Sequence, residues 1–245
     1  MNKVELIMGM PIQITTSHDV DPAIFDSVFD YFRTIDERYS PFKSTSELSR
    51  INRGLPESQW SAEMREILRR CDTTKQQTHG YFDIKRPDGT LDPSGLVKGW
   101  AIQRAADLLK HKGMQDFSVD AGGDIQVCGD GPSGGEWHIG IRNPFDRNQT
   151  IKVVGLRDQG IATSGTAIRG QHIYNPHQYH HELTDVVSLT VIGPHVYDAD
   201  RFATAAFAMG KKGISFIHDL KGFEGYMIDK DGIATMTPGF EEYVR

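Results

Sequence analysis

The chain has 245 residues, enough for one large domain or two small ones and for a sizeable buried core. Its composition is that of a soluble globular protein, and a formal net charge of -6 argues against the broad basic face of a general nucleic-acid binder. No apolar run approaches the roughly 20 residues that span a bilayer, the first residues carry no export signal, and Cys71 and Cys128 stand far apart outside any CxxC pattern, so a cytoplasmic protein with reduced core thiols is expected.

Residues 4–16, rich in Ile, Met and Thr and interrupted by Gly9 and Pro11, read as a strand with a bend. Residues 21–39 predict a helix, because Ile24, Phe25, Val28, Phe29, Phe32 and Ile35 keep returning to one face. Asp21 supplies a capping side chain and Pro22 suits the first helical position. A short helical turn is expected at 46–51 and a second long helix at 62–78, with Gly80 beyond its end. A third helix is expected at 98–110. Strands are expected at 117–119 and 125–128, flanking Ala121, Gly122 and Gly123, and by alternation at 136–142, 151–156 and 186–192. Helices at 200–209 and 214–220 and a closing strand pair from 225 complete the chain. Strands and helices mix without βαβ alternation, which predicts an α+β fold with a largely antiparallel sheet, in a single domain over residues 1–245.

Asp200 and Thr204 are four apart in a helical segment, so both side chains fall on one face. A carboxylate beside a hydroxyl suits a hard cation such as Mg²⁺, which completes its shell with phosphates and water. The same pair also fits a helix cap and a hydroxyl bonded to the preceding turn. Lys98 stands near a helix start, against the macrodipole; a bound phosphate would explain it, and so would a solvated loop edge. The turn Asp120-Ala121-Gly122-Gly123-Asp124 allows positive φ and close approach of a ligand, or is a plain tight turn. Hydroxyl residues around Gly165 could bind phosphate. His172 has the chemistry of an acid or base near neutral pH, or is structural. Walker A, HExxH and CxxC patterns are absent from the sequence.

Taken in order, these segments resemble one family. Met8-Gly9-Met10-Pro11 comes first, then Tyr39-Ser40-Pro41-Phe42 and Ser46-Glu47-Leu48-Ser49-Arg50-Ile51-Asn52, then Leu91-Asp92-Pro93-Ser94-Gly95-Leu96-Val97-Lys98-Gly99. The paired-glycine turn with Trp137 downstream, Ala162-Thr163-Ser164-Gly165, His172-Ile173 and Asp200-Arg201-Phe202-Ala203-Thr204 follow. The set resembles the ApbE family of flavin transferases. That resemblance implies FAD as substrate and Mg²⁺ held by Asp200, Thr204 and the backbone carbonyl of Val97. Lys98 would stand near the diphosphate, Phe42 and Met8, Gly9 and Met10 would flank the flavin or adenine, and Asp92, Ser94, Gly122 and Gly123 would line the FAD site. Ser164, Gly165 and His172 would lie near the pyrophosphate, with His172 and Lys98 as the catalytic pair. The implied reaction passes FMN to a Thr or Ser hydroxyl of an acceptor flavoprotein and releases AMP. Hydrolysis of FAD to FMN and AMP, or flavin binding without catalysis, are the alternatives. Two departures stand out: the link at 84–90 is short where fuller members carry a longer insertion, and Asn175 occupies a position that is commonly acidic.

Overall fold

The bend expected within residues 4–16 is a hairpin. Strands β1 (Asn2–Ile7) and β2 (Met10–Thr16) pair antiparallel, and Met8 and Gly9 turn the chain with φ of 56° and 71°. This computed structural model describes residues 1–146, 148–166, 173–178 and 183–245. The hairpin forms one edge of an eight-stranded sheet that continues through β3 (Phe117–Ala121), β4 (Asp124–Cys128), β7 (Gly160–Gly165), β8 (Val186–Gly193), β9 (Glu224–Asp229) and β10 (Ala234–Met236). Every pairing is antiparallel. Between β4 and β7 the chain leaves the sheet and makes a separate ribbon of β5 (Trp137–Arg142) and β6 (Thr150–Leu156).

Alternation along β4 shows how the layers are assigned. Ile125 and Val127 point to the ribbon, where Trp137, Ile141, Val154, Leu156 and Phe240 form one core. Gln126 and Cys128 point the other way, to the helices. That layer holds α1 (Pro22–Tyr39), α2 (Glu47–Asn52), α3 (Ala62–Gln77), α4 (Ser94–His111), α5 (Val196–Ala208) and α6 (Gly213–Asp219). Phe25, Phe29 and Phe32 on α1 are buried as their helical spacing predicts, each contributing roughly 1.5–3 kcal/mol. The α+β expectation with an antiparallel sheet holds.

Three elements differ from the sequence reading for physical reasons. Helix α4 begins at Ser94, because Asp92 Oδ1 accepts hydrogen bonds from Ser94 N at 3.1 Å and Ser94 Oγ at 2.5 Å. Helix α5 begins at Val196, four residues before Asp200, and its first N–H is taken at 2.8 Å by the buried side chain of Gln126 on β4. Residues 160–165, assigned to no element from the sequence, form strand β7. Its small residues let α5 lie directly on it: a Cβ at Gly160 would stand 2.1 Å from Val196 N.

Candidate active site

Helices α4 and α5 meet through small residues. Gly95 and Gly99 lie four apart on one face of α4, and Asp200 and Thr204 lie four apart on the facing side of α5. A Cβ at Gly99 would stand 2.7 Å from Asp200 Cβ and 2.9 Å from the Val196 carbonyl; one at Gly95 would stand 3.1 Å from Thr204 Cγ2. The contact therefore requires glycine at position 99. At the same contact the Gly99 N–H donates to Asp200 Oδ2 at 2.8 Å. Thr204 Oγ1 stands 3.5 Å from the Gly95 carbonyl and 3.5 Å from Ser164 Oγ. Asp200 is thus a buried mid-helix carboxylate, and the reading of it as a helix cap is corrected.

Two buried carboxylates account for Lys98, which pairs with Asp124 Oδ2 and stands 3.6 Å from Asp200 Oδ1. The alternative of a solvated lysine at a loop edge gives way to this internal pairing. Asp124 also joins the strands: β4 pairs with β7 only through Ile125 and Gln126, and just beyond that short ladder Asp124 Oδ1 accepts the Thr163 N–H at 3.0 Å. Asp120 accepts the Gly123 N–H at 2.7 Å, which closes the paired-glycine turn. Burial pushes the Asp120 carboxyl up, the Gly123 N–H opposes, the Asp124 charge adds to the rise, and Arg142 and Lys98 pull it down. Burial likewise raises the Asp200 carboxyl well above the ordinary carboxylate range, against Lys98 and with Asp124.

These groups line a cleft of about 400 Å³ between the α4–α5 contact and the ribbon. Asp92, Ser94, Lys98, Gly122, Gly123, Ser164, Gly165, Asp200 and Thr204 lie on its wall. Val97 does not. It is 2% exposed on α4, two residues and therefore about 200° round from Gly95. The carbonyl that comes beside Thr204 is that of Gly95. Met8, Gly9 and Phe42 also stand off the cleft wall, with Phe42 92% exposed, while Met10 lies behind it, its Sδ 3.1 Å from where a Gly122 Cβ would be. His172 lies outside the described residues. The sequence reading did not single out Gly95, Asp124, His138 or Arg142, all of which line the cleft. On the lower rim Tyr174 Oη donates to the Asp83 carbonyl at 3.3 Å, and residues 85–91 close as a tight turn with Arg86 paired to Asp92.

A carboxylate, a hydroxyl and a carbonyl set along the α4–α5 contact by Asp200, Thr204 and Gly95 make an all-oxygen donor set, which fits a hard divalent cation better than zinc. Among the described residues no group of three or more His, Cys, Asp and Glu side chains is arranged to hold a metal. No described helix is long and apolar enough to cross a membrane.

The ApbE family model matches residues 8–86 and 84–227, the two stretches meeting at the head of the short 84–90 link. A FAD:protein FMN transferase of Escherichia coli strain K12 is 26% identical over 189 residues, covering 72% of this chain and 54% of that protein. One of Treponema pallidum strain Nichols is 28% identical over 208 residues, covering 74% and 58%. The chain thus spans little more than half the length of these curated relatives. The structure of the flavin transferase ApbE from Vibrio cholerae superposes with a TM-score of 0.86 over 99% of this chain and 98% of that one, at 21% identity, a likeness of fold.

Proposed function

The chain belongs to the ApbE family, and from that premise we propose that it is a Mg²⁺-dependent FAD:protein FMN transferase. The single observation that carries the reading is that Asp200, Thr204, Gly95 and Lys98, brought together at the α4–α5 contact, line one cleft. The reaction is a phosphoryl-group transfer. A Thr or Ser hydroxyl of the acceptor attacks the FMN-side phosphorus, the bond to the bridging oxygen breaks, AMP leaves, and the hydroxyl proton passes to a base. Such chemistry asks the protein for placement and charge compensation more than for a nucleophile of its own.

The residues suit those tasks. Asp200, Thr204 and the Gly95 carbonyl would hold the cation, which when bound offsets charge on the diphosphate. Lys98 is held by Asp124 with its ammonium at the cleft, so its position is set before substrate arrives. Gly122 and Gly123, at φ of 65° and 100°, leave that part of the wall without side chains, which allows close approach of a ligand. His172, on the resemblance, is the proposed base.

Incubation with FAD, Mg²⁺ and a flavoprotein acceptor, followed by mass analysis of protein and nucleotide, tests the reading. The expected result is an acceptor heavier by one FMN residue together with an equal amount of AMP. AMP and free FMN without any change in the acceptor would replace transfer by hydrolysis. Intact FAD under every condition would leave only flavin binding.

A further inference from the structure

The cleft holds an imbalance of charge. Asp120, Asp124 and Asp200 set three carboxylates against the single ammonium of Lys98 at its closed end. One divalent cation would restore balance there, and a diphosphate would upset it again. Among the described residues on the cleft wall, Arg86 is paired with Asp92 and Lys98 with its two aspartates. Arg142 lines the cleft from β5, and its guanidinium makes no ion pair or hydrogen bond to any described residue.

Its placement is specific. Arg142 ends β5, and the β5–β6 register shifts between Ile141 and Arg142. A bulge of this kind turns the strand and re-aims the side chain that follows, and it recurs beside functional sites. Arg142 on β5 and Lys98 on α4 both line the cleft, and the charge of each pulls the Asp120 carboxyl down. A guanidinium keeps its charge at any working pH and offers paired donors that match two phosphate oxygens.

We propose that Arg142 is a substrate-binding residue that grips the diphosphate of the dinucleotide from the ribbon wall, opposite Lys98 and the Asp200–Thr204 pair. The inference rests on the transferase reading for the identity of the dinucleotide. It predicts binding that depends on the phosphates and not on the flavin ring.

The test is a set of titrations of FAD, ADP and riboflavin into the wild-type protein, Arg142→Gln and Arg142→Lys, by flavin fluorescence and calorimetry, with and without Mg²⁺. Arg142→Gln is expected to weaken FAD and ADP by about ten- to a hundredfold while riboflavin stays within about twofold, the worth of a charge-assisted contact to phosphate. Arg142→Lys recovers part of the loss, because charge returns without the paired geometry. Unchanged FAD and ADP affinity in Arg142→Gln overturns the inference, as does an equal loss for riboflavin, which would mark general damage to the cleft. Wild-type protein that binds FAD yet never cleaves it would remove the transferase reading and leave the inference to be judged on these affinities.

Discussion

The two walls of the cleft are built in opposite ways. The helix wall is closed: α4 and α5 touch through glycine, and its charged groups have partners inside the protein, Lys98 in Asp124 and Asp200 and Asp200 in the Gly99 N–H. The ribbon wall is open. It is two strands wide, exposes His138, Gly140 and Arg142 toward the cleft, and leaves Arg142 unpaired among the described residues. Buried charges must be compensated before a ligand arrives, because an uncompensated one costs several kcal/mol. The helix wall therefore suits a fixed cation site, whereas the ribbon wall keeps its donors free for substrate. Changes on the helix wall should cost chemistry, and stability as well where they break its packing or pairing, whereas changes on the ribbon wall should cost binding first.

The sharpest way to break that contrast is Asp200→Asn, which keeps the shape of the side chain and removes its charge. Mg²⁺-dependent turnover is expected to fall by about a thousandfold or more, equivalent to several kcal/mol of charge stabilisation. Calorimetry should show Mg²⁺ affinity lost with the melting curve largely kept. Full turnover would remove Asp200 from the cation site. Next in size is Lys98→Met, which leaves Asp124 and Asp200 facing each other without their shared cation. Removing one partner from a buried pair costs roughly 3–5 kcal/mol. Thermal unfolding should show that loss in metal-free protein and a larger Mg²⁺-induced recovery than in wild type. A variant as stable as wild type would show that the pairing carries no weight. Gly99→Ala comes third. Its methyl has no room against Asp200 Cβ and the Val196 backbone, so overpacking of about 1–3 kcal/mol is expected, a fall of roughly 2–4 °C in Tm per kcal/mol for a chain of this size. Gly140→Ala on the ribbon meets only the Thr150 side chain, at 3.1 Å, and should cost less. Equal costs at the two glycines would erase the difference between the walls.

What could be read from sequence follows the same division. The one-face spacing of Asp200 and Thr204 was legible, because helical period alone puts residues four apart together. The start of α5 was not, since its first N–H is satisfied by Gln126 from a strand 70 residues earlier and no local capping side chain marks it. Lys98 stood out as misplaced against the helix dipole, but its partners come from a turn after β3 and from α5, contacts that only the fold creates. The Val97 carbonyl was carried over with the lysine motif. The four-residue spacing of Gly95 and Gly99 was the signal that could have moved that assignment to Gly95, because it marks the face of α4 that another helix must approach. Arg142 carried no sequence signal, since whether an arginine on a strand is paired depends on what the sheet brings beside it.

The smallest expected effect is also the most direct reading of the helix wall, and it comes from pH. Burial raises the Asp200 carboxyl above its ordinary value, with the Asp124 charge adding and Lys98 and the Gly99 N–H opposing. From about pH 4 upward to that raised value, the folded metal-free protein holds a proton that the unfolded chain has already lost. Folded protein then binds more protons than unfolded, so this group's contribution to stability falls as pH rises through the window. A divalent cation needs the ionised carboxylate and displaces that proton. Its affinity should therefore rise with pH over the same range, with proton release on binding. The Mg²⁺-induced rise in Tm is expected to be small at the acidic end and to grow toward neutrality in wild type, and to stay flat in Asp200→Asn. A shift independent of pH in wild type would mean that the cation does not compete with the Asp200 proton, and the cation site would have to be sought away from the α4–α5 contact.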